Sequence, residues 1–150
     1  MNISTFSEIL DISWTKETCV PSLKDKYSDE NKSLGQCAIT ALLVNDYFGG
    51  KIMRCMTSTG SHYYNLINDE IIDFTVEQFL GEIPMYEQGE ERTREYLLSN
   101  NDTKKRYLLL RKNFIDNKVK KDSERIDVMG KVIRKKIKKY EKMMRDNNCE

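Results

Sequence analysis

Between residues 33 and 73 the chain carries Cys37 at the start of an apolar run, then His62, its only histidine, and then Asp73. A thiol becomes a nucleophile when its pKa is lowered, as a helix N-terminus or a neighbouring imidazole does. An imidazole is suited to take the thiol proton and return it to a leaving group. A carboxylate beside the ring holds one tautomer and stabilises the cation. Gln36, next to Cys37, is the candidate side chain for an oxyanion hole, together with the Cys37 backbone N–H. Trp14, Cys19, Tyr63 and Tyr64 are candidate lining for a substrate cleft. The chemistry to expect is hydrolysis, transfer or deamidation at an amide or related acyl bond of a peptide, protein or small amide.

Three elements must position these groups. Ser33 is placed to cap a helix running to about Tyr47, and Ala38, Ile39, Ala41, Leu42, Leu43 and Val44 leave it almost no polar face. It should be the buried central helix, ended by Gly49-Gly50. Strand signals follow at 51–56, 62–67 and 70–74, with Thr57-Ser58-Thr59-Gly60 and Asn68-Asp69 as turns. A two-residue turn at Asn68-Asp69 sets Ile67 opposite Glu70 and Tyr64 opposite Asp73, so His62, Tyr64 and Asp73 share one sheet face. His62 and Asp73 are then diagonal neighbours, and a slip of one residue would separate them.

The flanking chain is less demanding. Ser4 or Thr5 should cap a short helix through Phe6, Ile9 and Leu10, and 14–31 should be irregular around Pro21 with one helical turn. Thr75 should start a helix through Phe79, with further helices over 90–98 and, capped by Asp102 or Thr103, through Leu110. A chain of 150 residues suits one core. Its start lacks the basic and apolar segments of a signal peptide, and no apolar stretch approaches the roughly 20 residues of a membrane span. Cys19, Cys37, Cys55 and Cys149 lie no closer than 18 residues apart, which argues for reduced thiols in a cytoplasm and against the close ligand pairs of structural zinc. No glycine-rich phosphate loop is present, so neither metal nor cofactor is expected.

The charge is divided. Residues 1–100 hold 8 Lys/Arg against 16 Asp/Glu, and residues 101–150 hold 17 against 8. Beyond Asn113, the residues Ile126, Met129, Ile133, Ile137, Tyr140 and Met144 recur every three or four positions, among lysines and arginines. This is the pattern of an amphipathic helix. Packing of the stripe on the core is the first expectation, with self-association or a protein partner through residues 126–144 as alternatives. The lysine density also suits nucleic acid or an anionic membrane surface, although no base-reading motif accompanies it.

Several short pieces resemble a known family. Lys16-Glu17-Thr18-Cys19-Val20-Pro21, Gly35-Gln36-Cys37-Ala38, Val44-Asn45-Asp46-Tyr47-Phe48-Gly49-Gly50, Met53-Arg54-Cys55, Gly60-Ser61-His62-Tyr63-Tyr64-Asn65, Glu77-Gln78-Phe79 and Thr103-Lys104-Lys105-Arg106-Tyr107 are similar, in order, to the YunG-like family of small bacterial proteins. The chain departs from that pattern at Lys32, where the family tends to have proline, and at Tyr27 and Tyr64, where it tends to have tryptophan. The resemblance covers about residues 13–112 and brings no established activity. The order cysteine, histidine, acid is also that of papain-like hydrolases. The expected fold is therefore α+β: a minimal papain-like core over 1–113, with the Cys37 helix packed on a small antiparallel sheet, and a basic helical extension over 114–150. The same residues also fit a non-catalytic binding protein, with Cys37 as a small core side chain, His62 hydrogen-bonded in the sheet, and the basic helix contacting a protein or nucleic acid.

Overall fold

A computed structural model describes residues 1–148; Cys149, counted above among the reduced thiols, lies outside them. The fold is α+β. It runs α1 (Ile3–Asp11), a 3₁₀ turn (Pro21–Lys26), α2 (Cys37–Phe48), β1 (Lys51–Thr57), β2 (Gly60–Ile67), β3 (Glu70–Ile72), 3₁₀ turns at Val76–Phe79 and Tyr86–Gln88, β4 (Glu90–Arg92), α3 (Arg94–Leu98) and α4 (Asn101–Asn147). The sheet is antiparallel with order β3-β2-β1-β4.

Helix α2 is buried on nearly every side, as its unbroken apolar run requires: Ile39, Leu42, Leu43 and Val44 are fully enclosed. It packs on β2, where the Asn65 amide donates to the Ala41 carbonyl at 3.0 Å. On the other side Phe6 of α1 centres a ring cluster with Tyr47, Phe48, Phe74 and Phe114, at centroid distances of 4.8–5.4 Å. Such tilted and edge-on arrangements are the favoured aromatic geometries. Leu110 and Phe114 of α4 complete this core.

The turn between β2 and β3 holds Asn68 and Asp69 at φ 51° and 63°, the left-handed pair a two-residue hairpin turn requires. It sets Ile67 opposite Glu70 and Asn65 opposite Ile72. Strand β4 replaces the first turn of the helix expected over 90–98. Glu90, Glu91 and Arg92 have no apolar alternation, and they form an edge strand by pairing with Arg54, Met53 and Ile52. Caps also differ from the sequence reading: Asn2 caps α1, and Asn100 accepts from the Thr103 N–H at the start of α4.

The chain divides into a unit ending at Ile115 and a second beginning at Asp116. The boundary expected at 113 falls short of Phe114, which is fully buried. In the second unit Ile126, Met129, Ile133, Ile137, Tyr140 and Met144 are exposed. No helix among the described residues is long and apolar enough to cross a membrane. Phe114→Ala should cost about 3–5 kcal/mol in chemical denaturation, whereas Ile133→Ala should stay within about 0.5 kcal/mol, as exposed positions do.

Candidate functional site

Cys37 is the first residue of α2. Ser33, expected as its cap, is buried, and its carbonyl accepts from the Gln36 N–H at 3.2 Å. Gln36 takes the cap position without a side-chain cap, so the first-turn N–H groups of α2, Cys37 among them, are left uncapped by any side chain. Gly35 sets the approach at φ +69°. A Cβ there would lie 2.7 Å from Cys19 Sγ and 2.9 Å from Val20 Cγ1, so both the backbone angle and the space call for glycine.

His62 lies on β2 opposite Cys55 and is fully buried. Its Nε2 stands 2.6 Å from Asp73 Oδ2, and the Asp73 side chain is 5% exposed. Asp73 sits one residue beyond β3 and is locked in place. Oδ1 accepts from both the backbone N–H and the hydroxyl of Thr75, at 3.0 and 3.1 Å, and Oδ2 also accepts from the Tyr86 hydroxyl at 2.7 Å. With Nε2 committed to Asp73, Nδ1 is the ring's remaining nitrogen. It makes no hydrogen bond of ordinary geometry among the described residues. The Cys37 side chain nonetheless acts on the ring's charge.

The electrostatics follow. Burial alone would lower the His62 pKa, but the bond to Asp73 and the coupling to Cys37 outweigh it and raise the value to about 9. Burial likewise raises Asp73, and the His62, Tyr86 and Thr75 bonds overcome it, leaving its carboxyl below the usual range. Burial pushes the Cys55 thiol up to about 11 and raises Cys19 as well.

Cys37 is half-buried and lines a half-open cleft of about 600 Å³. Tyr63 lines it too, with Leu23, Thr57, Leu97 and Arg106. Among the described residues Arg106 is the only charged side chain in the lining, and its guanidinium is tied to Asp102 at 2.7 Å and to the Thr18 carbonyl at 3.2 Å.

Other sequence candidates lie elsewhere. Trp14 is in the core, donating to Thr40 Oγ1 at 3.0 Å. Cys19 is fully buried against Gly35, and Tyr64 is buried with its hydroxyl donating to the Tyr86 carbonyl. None of these three belongs to the cleft. Gln36 is fully buried, its amide donates to the Thr15 carbonyl at 3.1 Å, and it does not line the cleft, so the oxyanion role expected of it does not fit. No three Cys, His, Asp or Glu among the described residues cluster as metal ligands.

The sequence reading missed Thr75, Tyr86 and Gln78. Asp73-Phe74-Thr75 carries a local signal, since an aspartate commonly accepts from the N–H two residues on. Tyr86 and Gln78 reach the site only through tertiary folding.

A family model described as YunG protein matches residues 2–119, so the chain belongs to the YunG family. It is 35% identical over 94 residues to a protein of Bacillus subtilis (strain 168) described as uncharacterized protein YunG, covering 63% of this chain and 77% of that one. No solved structure matches it.

The buried pair makes stability depend on pH. Asp73, lowered from 3.8, stabilises the fold above that value and loses its contribution as pH falls through its folded pKa. His62, raised from 6.5, stabilises fully below pH 6.5 and loses its contribution as pH rises through about 9. Thermal melts should therefore plateau between pH 3.8 and 6.5 as far as this pair is concerned. They should fall toward pH 9 and beyond, and Asp73→Asn, which strips the buried cation of its partner, should cost about 3–5 kcal/mol near neutrality.

Proposed function

We propose that the protein is a thiol hydrolase, transferase or deamidase with a papain-like division of labour. Cys37 is the nucleophile, His62 the proton carrier and Asp73 the group that orients the ring. One observation carries the reading: the chain's single histidine is bound at one nitrogen to a buried carboxylate, keeps the other without a partner among the described residues, and feels the charge of Cys37, which starts α2 and lines the cleft.

Below pH about 9 His62 holds the proton that Cys37 gives up, and Sγ adds to a carbonyl carbon, whose π electrons move onto oxygen. As that oxyanion collapses, the bond to the leaving amine breaks, and the amine departs with the proton from His62. The thioester left on Cys37 is taken by water or by an acceptor amine or alcohol, with His62 accepting the attacking group's proton and returning it to sulfur. Burial and the Asp73 bond keep His62 from turning, and Tyr86 and Thr75 keep Asp73 from following the proton. The cleft offers apolar and hydroxyl surface and no uncommitted charge, which favours an uncharged acyl group over an acidic or basic one.

The test is competitive labelling of the full chain by iodoacetamide with peptide mapping. Cys37 should react well ahead of Cys19 and Cys55, both buried with raised pKa values. His62→Ala should slow Cys37 by about tenfold or more, the order of a lost general base. A Cys37 that reacts no faster than a free model thiol, and ignores the loss of His62, would leave the cleft as a binding groove and sink the catalytic reading.

A further inference from the structure

Gln78 sits on the 3₁₀ turn Val76–Phe79, three residues beyond Thr75, and lines the same cleft as Cys37. Its side-chain oxygen accepts the Gly35 N–H at 3.2 Å. A backbone N–H can only donate, so that contact identifies Oε1 and leaves Nε2 on the other side of the amide. Gln78 is 9% exposed, and its Nε2 is buried with no hydrogen-bond partner among the described residues. An orphaned buried donor is costly and uncommon in a folded protein. This one is anchored to the residue two positions before Cys37.

Gln36 shows the opposite case. It is fully buried and does not line the cleft, one of its N–H groups is held by the Thr15 carbonyl, and its partnerless atom is Oε1, an acceptor, which would repel a negative oxygen. Two residues that line the cleft offer uncommitted donors: Cys37, whose N–H lies in the uncapped first turn of α2, and Gln78 with its Nε2. Water exclusion strengthens such donors toward a developing charge.

We propose that Gln78 is a catalytic residue, the side-chain donor of the oxyanion hole, an inference that rests on the acyl-transfer reading above. When the Sγ–C bond forms, the carbonyl π electrons settle on oxygen, and that oxygen accepts hydrogen bonds from Gln78 Nε2 and the Cys37 N–H. Gln78 gives up no proton. When the leaving group departs, the oxygen's electron pair re-forms the C=O bond.

Two reagents separate this role from nucleophilicity. p-Nitrophenyl acetate acylates Cys37 through a tetrahedral oxyanion, whereas iodoacetamide alkylates it by direct displacement without one. In Gln78→Ala and the similarly sized Gln78→Met, acylation should fall about 10²-fold while alkylation stays within about twofold, because one oxyanion donor is worth about that much. Unchanged acylation in either folded variant would overturn the assignment. Parallel loss of both reactions would also overturn it, by marking Gln78 as a prop for the Gly35 loop. If wild-type Cys37 shows no enhanced reactivity toward either reagent, the underlying thiol reading fails and this inference falls with it, a result distinct from the other two.

Discussion

An imidazole with no exposed surface keeps its proton only when a carboxylate shares it, and in this chain the carboxylate is Asp73, 2.6 Å from His62 Nε2. The requirement is severe because both groups leave water, and burial alone would drive each toward its neutral form. The bond between them, reinforced by Tyr86 and Thr75, reverses both tendencies. Once Nε2 is occupied, the ring is held, and Nδ1 is left without a partner among the described residues.

Much of the local architecture serves that pair. A slip of one residue in the β2–β3 hairpin would turn His62 and Asp73 to opposite faces, and the left-handed Asn68-Asp69 turn fixes the register against it. β3 ends at Ile72, which frees Asp73 to bend into its turn with Thr75. The same segment continues into the turn bearing Gln78. A stretch from Asp73 to Phe79 thus brings an acid to the histidine and an amide to the Gly35 loop. From the opposite direction, Gly35 lets the chain enter α2 tightly against Cys19 and Val20, so Cys37 starts the helix at the cleft.

What was legible in the sequence was whatever depends on neighbouring residues. The apolar run of α2 reads as a buried helix because no polar face remains, and the hairpin register follows from two turn residues and the period of a strand. Those two facts juxtapose His62 and Asp73. What depends on distant chain was not legible. β4 has no pattern of its own and exists because β1 offers an open edge. Tyr86 reaches Asp73 across 13 residues, and Gln78 reaches Gly35 across 43. Trp14 and Tyr64 looked like groove aromatics by composition, yet each has an interior hydrogen-bond partner that makes burial affordable. The amphipathic stripe beyond Asp116 was legible as a pattern, but a pattern does not say whether it is covered, and its side chains are exposed.

Because His62 is the only histidine, its ring protons give one unambiguous set of signals, and an NMR titration of the intact protein reads the pair directly. The account predicts a midpoint near pH 9. It also predicts a downward shift in Asp73→Asn and a smaller one in Cys37→Ala, since both groups stabilise the cation. A midpoint near the ordinary 6.5, unmoved by either substitution, would contradict it.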